Sequence, residues 1–169
     1  MTSDIALRPW KKEDAKQLAH IANNKNIWNN LRDGIPHPYT IADAEKWIAH
    51  CSTQKPVINF AVIYKSALAG SIGCVPKADV YRKTMEIGYF IGEDFWNLGI
   101  ATQAVHILLK YINSEFDVVR LYAEVYAHNK KSMQVLRKNG FYLESIRRKG
   151  AIKNNILVDD YVWVKLFDK

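Results

Sequence analysis

The segment around Gly99 has the composition of a binding site for a phosphate group. The run Trp96-Asn97-Leu98-Gly99-Ile100-Ala101-Thr102 follows a strand-like stretch and opens a helix. A helix start carries unpaired backbone N–H groups and the positive end of the helix dipole, and both attract anions. The small residues Gly99 and Ala101 let a pyrophosphate approach the main chain closely. The sequence therefore predicts an anion-binding turn, although Gly99 could also be an ordinary helix-start glycine.

The sequence contains no motif typical of serine hydrolases, nucleotide-binding loops or metal sites. A Gly-x-Ser-x-Gly elbow, a Walker loop and a Gly-x-Gly-x-x-Gly fingerprint are all missing from the sequence. The five histidines show no metal-binding spacing, so no metal is expected. Cys51 and Cys74 form neither a disulfide framework nor a metal pattern. We expect reduced thiols, with a disulfide between the two as the open alternative.

Length and charge restrict the class of protein. The 169 residues, 49% of them hydrophobic and 24% charged, predict one domain over residues 1–169. The net charge of +7 suits an anionic ligand, and it would suit nucleic acid as well. Residues 1–9 contain no long apolar run, and no stretch approaches the ~20 apolar residues of a spanning helix. We expect a cytoplasmic protein without a membrane partner.

Hydrophobic periodicity and turn signals predict alternating helices and strands. The predicted strands are residues 5–8, 59–64, 69–75, 84–91, 119–126, 141–147 and 158–166. The predicted helices are residues 12–22, 101–112, 131–138 and the segment from the N-cap Thr40 to Cys51. Residues 23–39 read as a loop. Asn139-Gly140 reads as a left-handed helix end.

Two linked segments resemble the Gcn5-related N-acetyltransferase (GNAT) superfamily. Its signature is Arg/Gln-x-x-Gly-x-Gly/Ala, followed by a downstream Asn and a later Gly-Phe. The matching positions are Gly99, Ala101, Asn129 and Gly140-Phe141, with Trp96 where Arg or Gln is frequent. The Trp-x-x-Gly-x-Ala-Thr form is similar to the branch containing the ribosomal-protein alanine N-acetyltransferases, as are residues 5–10 and 13–15. Trp96 is read as a core aromatic.

The resemblance implies an α+β GNAT fold: a central mixed, mostly antiparallel sheet, flanked by helices, whose strands splay apart around the main helix. It implies acetyl-CoA as cosubstrate and direct attack by an amine in a ternary complex. The implied contacts of the thioester are with the strand backbone at Tyr89, Phe90 and Ile91. Those of the pyrophosphate are with the loop residues Asn97, Leu98, Gly99, Ile100, Ala101 and Thr102. Those of the pantetheine end are with Asn129, Lys131 and Ser132. Asn129 could instead be an ordinary turn residue.

Glu86 is the candidate base. It lies inside a predicted strand, where glutamate is disfavoured, on the same face as Gly88 and Phe90. One interpretation is a solvated surface carboxylate. The other is a general base, direct or through water, for an incoming ammonium. In the branch that the chain resembles, a Glu at this place commonly faces the acceptor groove.

Ser132 is the candidate acid. Many GNAT enzymes carry a Tyr seven residues after the motif Asn, where it protonates the leaving thiolate. In this chain that position is Leu136, which cannot donate a proton. In the branch that the chain resembles, the position of Ser132 often carries a Ser that lies near the coenzyme sulfur. Its structural alternative is a first-turn serine that caps a helix.

The loop before Thr40 is the candidate acceptor site, because the family uses this region to cover the acceptor groove. The candidate contacts are Asn30, Arg32, Asp33, His37 and Tyr39, together with Glu86. Arg32 and Asp33 could instead pair with each other.

The acceptor itself stays open among a protein N-terminus, a polyamine, an amino sugar and an antibiotic amine. A homodimer is possible, and nucleic acid is not expected. The alternative class is a GNAT-fold module that binds CoA or nucleic acid without turnover.

Overall fold

The computed structural model describes residues 4–168. Met1 to Ser3, which belong to the stretch 1–9 without a long apolar run, lie outside the described residues. The strands are β1 (Ile5–Arg8), β2 (Asn59–Tyr64), β3 (Ala67–Pro76), β4 (Thr84–Ile91), β5 (Arg120–Tyr126), β6 (Tyr142–Lys153) and β7 (Ile156–Leu166). The helices are α1 (Ala15–Ala22), α2 (Lys25–Trp28), α3 (Ile41–Ser52), α4 (Ile100–Glu115) and α5 (Lys130–Lys138).

The seven strands form one sheet in the order β1-β2-β3-β4-β5-β7-β6. Every neighbouring pair is antiparallel except β4 and β5, which run parallel. These two strands pair only from Thr84 to Glu86 against Arg120 to Tyr122, and they separate beyond that point. The predicted GNAT fold, with its splay around the main helix, is confirmed.

The two faces of the sheet carry separate hydrophobic clusters. The inward face of α4 packs on one side through Ala104, Val105, Leu108, Leu109 and Ile112, all buried as their spacing predicts. Helices α1 and α3 pack on the other side, around Leu18, Ala44 and Ile48. Side chains of β4 alternate between the two clusters, so Ile87 and Ile91 face α4 whereas Phe90 faces α1 and α3.

Local turn chemistry explains most of the boundaries. Thr40 caps α3 and forms the predicted capping box with Asp43. Gly140 ends α5 with a φ of 80°, a left-handed conformation that favours glycine. Lys65 and Ser66, with φ of 45° and 70°, close the β2–β3 hairpin.

Three expectations need correction. The predicted loop over residues 23–39 contains the short helix α2, because the Asn24 side chain accepts hydrogen bonds from the backbone of Asn26 and Ile27. The last hairpin is longer than predicted, because Asn154 and Asn155 both take positive φ and form a tight turn. The periodicity of α3 predicts an apolar face that includes Ile41 with Ala44 and Ile48, but Ile41 is 48% exposed since it stands in the first turn.

Three further findings concern chemistry beyond the fold. Cys51 and Cys74 are free and buried, and burial raises the pKa of each thiol to about 12. From residue 4 to residue 168, no helix is long and apolar enough to cross a membrane. Across the same residues, no group of three or more His, Cys, Asp or Glu side chains is arranged to hold a metal ion.

Leu108→Ala should lower the free energy of unfolding by about 2–5 kcal/mol, because it removes a fully buried side chain between α4 and the sheet. Leu157→Ala is the matched control, since Leu157 is exposed on β7 and should cost at most about 0.5 kcal/mol. Urea unfolding of both variants measures the difference. Equal losses would contradict the placement of α4 in the core.

Candidate active site

A groove of about 700 Å³ opens where β4 and β5 separate. Its walls come from the α2–α3 segment, from α1 and α3, and from the two diverging strands. The candidate site residues that line it are Asn30, Arg32, Tyr39, Glu86, Tyr89, Phe90, Asn129 and Ser132. The structure therefore brings the candidate base, the candidate acid and part of the candidate acceptor loop into one cavity.

The candidate base and acid approach the groove from opposite faces of the sheet. Glu86 alternates with the buried Ile87, so it projects on the side of α1 and α3. Tyr89 packs on the α4 cluster, and its hydroxyl reaches Ser132 on α5.

Glu86 is a paired, largely buried carboxylate and not a solvated one. Its side chain is 13% exposed, and it accepts hydrogen bonds from Lys77 Nζ at 2.9 Å, from the Tyr122 hydroxyl at 3.1 Å and from Arg32. Burial alone would raise the pKa of Glu86, but the Lys77 hydrogen bond and the charges of Arg32 and Lys77 lower that pKa below its ordinary value. The carboxylate is therefore ionised at neutral pH.

Ser132 forms a hydroxyl pair with Tyr89, whose phenol oxygen lies 2.9 Å from Ser132 Oγ. Burial raises the pKa of Tyr89 while the hydrogen bond with Ser132 works against that rise, so the phenol is protonated at neutral pH. The helix cap belongs to Asn129, whose side-chain oxygen accepts from the Ser132 backbone N–H at 3.2 Å. Leu136, which takes the place of the usual tyrosine, is fully buried.

The predicted phosphate loop stands at the start of α4. Asn97 and Gly99 both have positive φ, of 62° and 76°, and the first helical hydrogen bond runs from Gln103 N–H to the Gly99 carbonyl. The N–H groups before Gln103 therefore lack partners within the helix, as an anion site requires. The Asn139 side chain anchors the loop to α5 through the Thr102 carbonyl at 3.1 Å.

Trp96 packs against both hydrophobic clusters and donates its indole N–H to the Ile91 carbonyl at 2.7 Å. Its interpretation as a core aromatic is confirmed. Lys131 places its ammonium 5.0 Å from the Trp96 ring centroid, next to the phosphate loop.

The acceptor loop divides into residues that line the groove and residues that lie outside its lining. Arg32 pairs with Glu86 and Glu124, whereas Asp33 accepts from Lys153 Nζ at 2.6 Å, so the two loop residues do not pair with each other. His37 stacks on Trp28 with ring centroids 5.4 Å apart. The predicted acceptor contacts of Asp33 and His37 stay predictions.

Four residues of the site were missed from the sequence: Glu124, Lys77, Tyr122 and the side chain of Tyr89. Glu124 could have been found in the same way as Glu86, because it is a glutamate inside a predicted strand, where glutamate is disfavoured. No local signal pointed to Lys77, to Tyr122 or to the Tyr89 side chain, since each acts through a contact with another element of the fold.

Comparison with known proteins identifies the family of this chain. The Acetyltransferase (GNAT) domain family matches residues 4–142. The probable N-acetyltransferase YjcK of Bacillus subtilis is 35% identical over 54% of this chain, and the match spans about half (52%) of that relative. The spermidine N(1)-acetyltransferase of Escherichia coli is 25% identical over 83% of this chain and 74% of its own length. The structure of RimL, a ribosomal L7/L12 alpha-N-protein acetyltransferase in complex with coenzyme A, superposes with a TM-score of 0.85 at 19% identity, covering 99% of this chain and 96% of that one.

The family match covers most of the chain, and the sheet, the splay and the helix-start loop are the elements that such a site needs. The chain belongs to the GNAT family of acetyltransferases.

Gly99→Val should weaken acetyl-CoA binding about tenfold or more, the loss expected when a charge-assisted hydrogen bond of ~1.5–3 kcal/mol is blocked. The positive φ of Gly99 adds a second effect, because Val in that conformation costs roughly 1–2 kcal/mol of stability. Gly99→Asn separates the two, since Asn tolerates a left-handed backbone. Calorimetric titration with CoA and a melting curve should show weak binding in both variants and a large loss of Tm only in Gly99→Val. Full CoA affinity in Gly99→Asn would contradict the phosphate assignment.

Proposed function

We propose that the protein transfers the acetyl group of acetyl-CoA to a primary amine by direct attack within a ternary complex. The observation that carries the proposal is the gap between β4 and β5, with Glu86 on one face and the Tyr89–Ser132 pair on the other. Acetyl-CoA would place its pyrophosphate on the α4 N-terminus and its thioester in the gap. The acceptor would enter along the α2–α3 segment.

The chemistry follows from this arrangement. The amine nitrogen attacks the thioester carbonyl carbon, the C–S bond breaks, and the sulfur leaves as a thiolate. Much of the acceleration would come from holding two substrates in one cavity. Unpaired backbone N–H groups of β4 beyond Glu86 would polarise the carbonyl, since β5 no longer pairs with them there.

Glu86 would bind the acceptor ammonium, which would lose one proton to water before the attack and a second proton to water after it. A carboxylate with a lowered pKa is a weak base but a strong hydrogen-bond acceptor for an ammonium. Ser132 would donate the proton that the sulfur takes up. The Tyr89 phenol can donate to Ser132 Oγ, which leaves the Ser132 hydroxyl hydrogen to point at the thiolate. The two free, buried thiols fit a reducing compartment, and we place the enzyme in the cytoplasm.

An acceptor panel tests the function. CoA release would be measured with spermidine, with peptides that carry a free N-terminus, with an amino sugar and with an aminoglycoside. Saturable release with at least one amine supports the proposal. Tight CoA binding without turnover of any amine would favour the non-catalytic module, for which Leu136 at the usual acid position is the relevant feature.

Glu86→Gln should lower kcat by about 10²-fold, because the attacking amine would no longer be held beside the carboxylate that directs its protons to water. Because the Glu86 pKa lies below its ordinary value of 4.5, the group stays ionised from pH 5.5 to 8. The loss should therefore be uniform over that range, and the remaining pH dependence should belong to the acceptor amine. Glu144→Gln, which changes an exposed carboxylate paired with Arg120 on β5, is the matched control. A near-normal kcat in Glu86→Gln would mean that Glu86 forms a structural ion pair and takes no part in the reaction.

Ser132→Ala and Tyr89→Phe should each reduce kcat by up to about 10²-fold, the low end for general acid catalysis, because a thiol of pKa ~8.5 is already a fair leaving group. The acetyl-CoA Kd and the Tm should change little, since the helix cap is Asn129. Tyr111→Phe removes another half-buried hydroxyl, bound to the Val57 carbonyl, and serves as the control. A lower Tm with unchanged kcat would remove both hydroxyls from the chemistry.

A further inference from the structure

One nitrogen atom of Arg32 lies between two carboxylates at the mouth of the groove. Arg32 Nη2 donates to Glu124 Oε2 at 2.7 Å and also to Glu86 Oε1. A single nitrogen that donates to two carboxylates has the hydrogen-bonding pattern of a primary ammonium.

The two carboxylates stand where the strands begin to separate. Glu86 pairs with Tyr122 at the last position of the β4–β5 ladder, and Glu124 follows two residues later on the same face. Both side chains line the groove and are mostly buried, at 13% and 22% exposure, whereas the Arg32 side chain is 62% exposed.

The charges of this cluster balance only while Arg32 is in place. Its carboxylates are Glu86, Glu124 and Asp160, and its cations are Arg32, Lys77 and Arg147. Without Arg32 the cluster carries one uncompensated negative charge in a partly buried site, which is unfavourable. An incoming ammonium would restore the balance, but a neutral or anionic acceptor would not.

Arg32 can leave without unfolding its loop. The backbone around it is held by the Trp28 indole, which donates to the Ile35 carbonyl at 2.8 Å, and by the turn from Ile35 N–H to the Arg32 carbonyl at 3.0 Å. Gly34 follows in open space, where even a Cβ atom would meet no neighbour within 4 Å. Only the exposed side chain needs to turn away.

We propose that Glu86 and Glu124 form the subsite for the acceptor's ammonium group, and that Arg32 occupies this subsite in the resting protein until the acceptor displaces it. The inference rests on the proposed function and adds the acceptor's chemical class, a primary alkylammonium. Arg32 is then an internal competitor that lowers the apparent affinity for the amine. A polyamine and a peptide N-terminus share this chemistry.

The test compares Arg32→Ala with the wild-type enzyme. Removal of the competitor should lower the amine KM about tenfold, if Arg32 fills the subsite about nine-tenths of the time. Ethylguanidinium, a fragment of the missing side chain, should inhibit Arg32→Ala competitively against the amine, with a Ki at least about tenfold below that for the wild type. Parallel assays with spermidine and with a peptide of free N-terminus identify the source of the ammonium.

Arg148→Gln is the control for net charge, because Arg148 pairs with Asp159 on the β6–β7 hairpin and does not line the groove. Arg32→Gln repeats the test if Arg32→Ala folds poorly. In the Arg32→Ala background, Glu124→Gln should reverse the gain in amine KM. A raised amine KM in Arg32→Ala, or equal inhibition of both proteins by ethylguanidinium, would overturn the subsite.

A calorimetric titration of Arg32→Ala with ethylguanidinium tests the subsite independently of acetyl transfer. If no amine is acetylated but ethylguanidinium binds only the variant, the proposed function fails and the subsite stands. If amines are acetylated but ethylguanidinium distinguishes neither protein, the function stands and the subsite fails.

Discussion

The loss of pairing between β4 and β5 is the constraint on which the site depends. Three residue pairs hold these parallel strands together, and beyond them each strand keeps its other neighbour while its inner edge becomes free. Unpaired backbone groups inside a protein are unfavourable unless a partner satisfies them. A cosubstrate with amide groups of its own, such as the pantetheine arm, is a suitable partner. The gap therefore leaves backbone groups of the sheet unpaired, and a ligand bound there can form the missing hydrogen bonds.

The charged cluster at the mouth of the gap shows how the same residues serve stability and binding. Glu86 is buried enough that its ionised form needs partners, and Lys77, Arg32 and Tyr122 supply them. Those partners make the carboxylate a weaker base. The balance favours recognition of a cation over proton abstraction, because each partner that stabilises the negative charge also lowers the affinity for a proton.

The sequence predicted most of the fold, because the elements rest on local rules: the Thr40–Asp43 capping box, the Gly140 helix end and the apolar face of α4. The sequence and the resemblance also named Glu86 and Ser132, and both side chains line the groove. The polar contacts of the site were not predictable in this way. Arg32 reaches Glu86 across 54 positions and Glu124 across 92, and Tyr89 reaches Ser132 across 43. Such pairings depend on how the elements pack together, and no local periodicity records them.

In the proposed reaction, Glu86 and Ser132 would take part in proton transfer from opposite faces of the sheet. If the amine loses its protons beside Glu86 while the sulfur gains one from Ser132, the two events take place on opposite sides of the thioester within one groove. The donor on the α5 face must then be reprotonated from its own side before the next cycle. Each turnover would release two protons beside Glu86 and take up one beside Ser132, which leaves a net release of one proton for each acetyl group transferred.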